Sequence, residues 1–279
     1  MNDLRGLIAA AAQRLGGGDE ARFEAELLLA HVLARPRAWL FAHAESVPDA
    51  QQRAQFTRIV DARAQGEPIA YLTGHREFWS MDLAVTPDVL IPRADTELLV
   101  ELALACIPAH APCDVVDLGT GSGAIALAIA RERPQARIVA TDTSEAALAV
   151  ARGNAQRLGI GNVEFAAGDW FAPLARRRFD VVVSNPPYIE AADAHLGLGD
   201  LRYEPPGALI SGTDGLDALR VLAAGASTHL LPGGCLLLEH GFDQGEAVRA
   251  LLDAGGLIDV RSDHDVAGHE RVTSARMPR

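Results

Sequence analysis

Lysine is missing from this sequence: all 25 basic side chains are arginine, a compositional bias with no functional reading attached. Long apolar runs are missing as well. None reaches the roughly 18 residues that bridge a bilayer, so no membrane-spanning helix is expected. The start, Met1-Asn2-Asp3-Leu4-Arg5, lacks the basic, apolar and small-residue regions of a signal peptide. Cysteine is scarce: Cys106, Cys113 and Cys235 are an odd set without a CxxC pair. That argues against a disulfide framework and for reduced, buried thiols in a cytoplasmic protein. Concentrated positive charge is also lacking. The formal net charge is −12, and Arg176-Arg177-Arg178 is the only basic cluster. A protein gripping duplex phosphates carries a basic stripe. Direct nucleic-acid binding is therefore not expected, and the arginine triplet reads as a solvated loop before a strand.

What is present suits a large domain with a smaller one. The chain has 279 residues, 49% of them hydrophobic, ample for a core. Residues 1–75 read as a small helical domain, with apolar residues spaced by three and four over residues 4–15, 23–33 and 52–64. Gly16-Gly17-Gly18 separates the first two helices. Ser46-Val47-Pro48-Asp49 predicts the start of another, with Ser46 as its cap. His31 and His43 read as structural. Residues 76–92 carry short extended segments and predict a hairpin-like linker. Residues 93–279 form the third part. From about Cys113, strands alternate with helices, which implies a parallel sheet covered on both faces. The chain closes on an antiparallel pair.

Three successive strand ends carry residues suited to a nucleoside. Asp117-Leu118-Gly119-Thr120-Gly121-Ser122-Gly123 follows the first strand of the alternating region and opens a helix. Its glycines let backbone N–H groups approach a ligand. The spacing G-x-G-x-G departs from the dinucleotide fingerprint, which disfavours an NAD-dependent dehydrogenase. Asp142 ends the next strand about twenty residues on, where a carboxylate accepts from ribose hydroxyls; a helix cap before Ser144 is the alternative. Asp169 and Trp170 end the third strand, fit to accept from an adenine amino group and to cover the base. A structural tryptophan is the alternative there.

The apolar strand at 179–184 then runs into Asn185-Pro186-Pro187-Tyr188. Each proline holds φ near −65° and lacks an N–H, and the residue before a proline is pushed to an extended conformation. The loop is stiff and rich in acceptors. The Asn185 side-chain oxygen and the Pro186 carbonyl can accept the two N–H groups of a planar NH2, and Tyr188 can pack on its plane. Such a clamp favours a transition state in which the nitrogen becomes positive. Glu239-His240 as an acid–base pair, and Asp263, His264, Asp265 and His269 as metal ligands, are weaker readings. The nucleoside residues and the NH2 clamp together read as methyl transfer from S-adenosylmethionine to an amide or amino nitrogen, which needs neither, and no metal is expected.

At these residues the chain resembles the peptide chain release factor glutamine methyltransferases, the PrmC/HemK family. The resemblance extends over Glu67-Pro68-Ile69-Ala70-Tyr71-Leu72-Thr73-Gly74, Arg76-Glu77-Phe78-Trp79, Leu90-Ile91-Pro92-Arg93, Tyr203-Glu204-Pro205, Leu238-Glu239-His240-Gly241 and Gly268-His269-Glu270-Arg271-Val272. Ala94 departs from it, standing where the family has proline. The resemblance implies an α/β class I S-adenosylmethionine-dependent fold, Rossmann-like, with a mainly parallel seven-stranded sheet and a C-terminal antiparallel strand. It implies S-adenosyl-L-methionine as cofactor, held by Gly119, Gly121, Gly123, Asp142, Trp170 and Asn185; Asp117, Thr120, Ser122 and Asp169, from the same strand ends, complete the expected cofactor site. Asn185, Pro186, Pro187 and Tyr188 would hold the substrate, with Asn185, Pro186 and Tyr188 central to the chemistry. The substrate implied is the glutamine of the Gly-Gly-Gln motif in class 1 release factors. The helical domain would dock that protein, and the enzyme would be a cytoplasmic monomer. An adenine-N6 methyltransferase of DNA or RNA is the alternative, because adenine also offers an NH2 on a conjugated plane. A non-catalytic binding protein is the other.

Overall fold

A computed structural model describes residues 2–279. Two compact units divide the chain: one holds residues up to His75 together with Gly197–Tyr203, the other holds Arg76–Leu196 and Glu204–Arg279.

The first unit is helical: α1 (Leu4–Arg14), α2 (Gly18–Leu33), α3 (Arg37–Ala42), α4 (Ala50–Ala64) and α5 (Ile69–Thr73). Asp3 caps α1, its carboxylate accepting from Gly6 N at 2.9 Å. The α4 cap is Asp49, not Ser46. Asp49 accepts from Gln52 N while the Gln52 side chain accepts from Asp49 N, a reciprocal pair that serine three residues earlier cannot make. Leu4, Ile8, Leu28, Leu29, Leu40 and Phe56 meet in the core of this unit. Arg63 binds Glu24 at 2.6 Å and Asp200 at 3.2 Å, which holds the excursion Gly197–Tyr203 against the helices of its own unit.

The second unit begins one residue into a hairpin, β1 (His75–Phe78) and β2 (Met81–Ala84). Trp79 and Ser80 turn it with φ of 51° and 53°. Phe78, Met81 and Leu83 are buried in the core of this unit, so the hairpin is part of its packing. Then come α6 (Thr96–Cys106), β3 (Asp114–Leu118), α7 (Ala124–Glu132), β4 (Arg137–Asp142), α8 (Glu145–Leu158), β5 (Val163–Ala167), β6 (Phe179–Ser184), α9 (Asp217–His229), β7 (Leu230–Glu239), α10 (Gly245–Ala254), β8 (Ile258–His264) and β9 (Glu270–Arg276).

The seven-stranded sheet has the order β5-β4-β3-β6-β7-β9-β8. Neighbours from β5 to β7 run parallel, and β9 pairs antiparallel with both β7 and β8. The two-residue period of a strand sends Val181 and Val183 into one buried layer and Val182 into the other. Both faces are covered, which is why these strands read as continuous apolar runs. A fully buried valine or leucine contributes about 1.5–3 kcal/mol. Strand order reverses between β3 and β6, and the crevice at their carboxyl ends is where open α/β sheets hold ligands.

Candidate active site

A cavity of about 360 Å³ opens at that reversal. Its floor is the turn after β3. Asp117, fully buried, supports the turn from behind: Oδ2 accepts from Thr120 Oγ1 at 2.6 Å and from Ala126 N at 3.2 Å. Burial pushes its carboxyl up to about 7, against those two hydrogen bonds and with Asp142 adding to the rise. Gly119, Gly121 and Gly123 have φ of 75°, 55° and 84°, a region that L side chains rarely adopt. Gly119, Thr120, Gly121 and Ser122 line the cavity, whereas Asp117 and Gly123 stand behind it. A Cβ on Gly123 would meet Leu127 and Ala151 at 3.1 and 3.2 Å, so this glycine serves the packing of α7.

Asp142 lines the next wall. Its Oδ2 accepts from Gly121 N and its Oδ1 from Ser144 N, both at 2.9 Å. The cap of α8 is Ser144, which accepts from Ala147 N. Each Asp142 oxygen keeps a second lone pair, so the carboxylate spans the glycine turn and the helix start and still has capacity for a ligand. Asp169 and Trp170 follow. The six-membered part of the Trp170 ring lies over Gly119, 3.4 Å from where a Cβ would stand.

Asn185 closes the site from β6. Its Nδ2 donates to Thr96 Oγ1 at 3.1 Å, and both residues line the cavity. Pro187 lines it too, while Pro186 is buried beneath. Tyr188 does not line the cavity. Its ring packs on the second buried layer and its hydroxyl points at Glu239 Oε1, 3.5 Å away. Burial, then the Glu239 charge, push the phenol upward. Tyr188 thereby anchors the loop. Gln244 adds a second anchor, donating from Nε2 to the Tyr188 carbonyl at 3.0 Å.

Sequence reasoning missed Thr96 as a cavity residue, because nothing nearby in the chain marks it. It also missed the rim. Arg93 reaches Glu204 at 2.6 and 2.7 Å, which brings Pro205, Gly207 and Ala208 to the cavity. The Glu204 side chain is fully buried in that pair. The cavity thus presents Asp88, Asp142 and Asp169 against one arginine that is already neutralised, a field suited to a cationic ligand.

Glu239 and His240 end β7 in full burial. His240 Nδ1 meets the Gly241 carbonyl and Nε2 meets Thr273 Oγ1, both at 2.8 Å. A neutral ring donating at Nδ1 and accepting at Nε2 satisfies both, and burial lowers its affinity for a second proton. Asp265 caps its own turn, accepting from Ala267 N and His269 N. Arg176, Arg177 and Arg178 are exposed.

Residues 6–74 match the family model described as PrmC N-terminal domain, and residues 109–240 match a methyltransferase domain. A release factor glutamine methyltransferase of Xylella fastidiosa is 54% identical over 272 residues, spanning 98% of this chain and 97% of its own length. One of Burkholderia pseudomallei is 50% identical over 284 residues, spanning 100% of each. A crystal structure of a methyltransferase from Pyrococcus furiosus aligns with a TM-score of 0.55 at 18% identity, covering 83% of this chain and 100% of that one; at that identity the likeness concerns the fold alone.

Proposed function

The chain belongs to the release factor glutamine methyltransferase family, and from that premise we propose that it methylates the side-chain amide nitrogen of the glutamine in the Gly-Gly-Gln motif of peptide chain release factors. S-adenosyl-L-methionine fits the cavity as methyl donor. The acidic lining suits its positive charge, Asp142 has acceptor capacity at the second strand end, and Trp170 offers a ring beside the glycine turn. When bound, it supplies an activated methyl group on sulfur, so neither metal nor covalent intermediate is needed.

The work left to this chain is to hold the nucleophile. An amide nitrogen is conjugated with its carbonyl, as the peptide rotation barrier of about 18–20 kcal/mol indicates. Asn185 Oδ1 accepts one N–H and the Pro186 carbonyl the other, and both acceptors gain strength as the nitrogen becomes positive. Positioning of this kind can supply roughly 7–11 kcal/mol. The two stiff prolines, Pro186 buried and Pro187 at the cavity wall, and the two Tyr188 anchors keep the acceptors from relaxing. The observation that carries the reading is the tie from Asn185 Nδ2 to Thr96, which leaves Oδ1 for the cavity.

In this reading residues 1–75 dock the release factor, 76–92 carry the hairpin and bring Asp88 to the cavity, and 93–279 supply the rest of the site. The enzyme works as a cytoplasmic monomer without contacting nucleic acid. The charge of −12 supports the last point, and among the described residues no helix is long and apolar enough to cross a membrane. The test is mass spectrometry of a release factor incubated with protein and cofactor. One added methyl group on the Gly-Gly-Gln peptide is expected. Methyl label entering DNA and not the release factor would overturn the assignment.

A further inference from the structure

A carboxamide has an accepting end and a donating end. Against an NH2 group only the accepting end is of use. Asn185 presented nitrogen-first would repel the substrate amide, so something must choose its facing. The loop itself does not choose, because rotation about the Asn185 side chain exchanges the two ends without moving the backbone.

The neighbours do choose. Asn185 Nδ2 donates to Thr96 Oγ1 at 3.1 Å. That hydroxyl has a single hydrogen. Were it directed at Asn185, the amide would turn to offer its oxygen there and its nitrogen to the cavity. Thr96 is 4% exposed and Glu239 1% exposed, so both groups are withdrawn from bulk water. Among the described residues, Glu239 Oε2 is buried without a hydrogen-bond partner. Thr96 is the polar side chain that most favours the ionised form of this carboxyl, ahead of Arg271.

We infer that Glu239 and Thr96 are positioning residues that set the facing of the Asn185 amide: the carboxylate draws the Thr96 hydrogen, the freed lone pairs of Oγ1 accept from Nδ2, and Oδ1 is turned into the cavity. The inference rests on the reading of Asn185 as an acceptor for the substrate amide. It also explains why a carboxylate is buried at the end of β7. The same Glu239 faces Tyr188 from the β6 loop, Asp95 beside Thr96 at the start of α6, and Arg271 from β9, so one group holds both ends of Asn185-Pro186-Pro187-Tyr188.

The test uses the full chain with a release factor as substrate. Thr96→Val keeps shape and removes the hydroxyl; Thr96→Ser keeps the hydroxyl. Thr96→Val is expected to lower kcat about tenfold or more with cofactor Kd within about twofold, and Thr96→Ser to restore most of the loss. Burial pushes the Glu239 carboxyl up to about 7, so wild-type kcat should fall as pH drops through that value, and Glu239→Gln should flatten this acid limb. Equal kcat for the Val and Ser variants overturns the inference. If Thr96→Val does not fold, the pH profile decides: an acid limb unchanged in Glu239→Gln overturns it. Asn185→Ala separates the two levels. Lost turnover there with wild-type kcat in Thr96→Val sinks this inference alone, whereas retained turnover in Asn185→Ala sinks the reading beneath it as well.

Discussion

Ser184 Oγ donates to the Leu118 carbonyl at 2.6 Å, and both residues are fully buried. The parallel ladder between β3 and β6 ends at the pair Asp117 and Val183. One residue further on, a side chain takes over from the backbone. It joins the strand that feeds the glycine turn to the strand that feeds Asn185, so the two halves of the site share a fixed spacing.

Ser184→Ala removes that donor from a buried carbonyl. The expected loss is about 1–3 kcal/mol of unfolding free energy, measured by urea denaturation, together with reduced turnover in the folded protein. A variant as stable as the wild type would show that the ladder alone holds the strand ends.

Asn185 and Asp142 should divide the labour. Asn185→Ala should keep cofactor Kd within about tenfold, roughly 1.4 kcal/mol, and abolish methyl transfer. Asp142→Ala should weaken cofactor binding by more than that, because it removes a ligand acceptor and also releases the N–H groups of Gly121 and Ser144. Calorimetry for binding and a single-turnover assay for transfer distinguish the two. Similar profiles for both variants would contradict the division.

The buried carboxyls should make stability fall as pH rises. Burial raises Asp117 from its ordinary 3.8 to about 7, so the folded chain keeps a proton that the unfolded chain gives up. Its contribution is complete below the lower value and is lost as pH rises through the upper one. Glu239 behaves likewise, raised from 4.5 to about 7. Asp117→Asn removes the first titration and leaves the second, and its carbonyl can still accept from Thr120 and Ala126. Unfolding free energy measured between pH 5 and pH 8 should therefore fall less steeply in the variant. Parallel curves would refute the burial assignment.

Gly168 precedes the acidic–aromatic pair with φ of 154°, and a Cβ there would stand 2.8 Å from Pro173 Cδ. A proline ring held in a 3-10 turn gives way poorly. Gly168→Ala should cost on the order of 1–3 kcal/mol and weaken cofactor binding by displacing Asp169 and Trp170. Thermal melting and a cofactor titration report the two effects. A neutral result in both would mean the turn can shift without consequence.

Much of the fold was legible along the chain. The strand at 179–184 and the helix at 245–254 fall where apolar spacing puts them, because buried parallel strands and amphipathic helices write their period into the sequence. The short helices Arg37–Ala42 and Ile69–Thr73 were not read, since one to two turns are too few to establish a period. Asp49 replaced Ser46 as a cap because the choice depends on which residue the Gln52 side chain can reach.

The sequence by itself determined the longer elements, the glycine turn and the stiff Asn-Pro-Pro corner, because each follows from local dihedral preferences and from apolar period. Only the tertiary structure decided which side chains meet. Thr96 and Asn185 are 89 positions apart, Arg93 and Glu204 are 111, and Tyr188 and Glu239 are 51. The strand order that brings β6 between β3 and β7 sets Tyr188 beside Glu239. No local preference encodes that order, and burial then turns those meetings into the hydrogen bonds that orient the site.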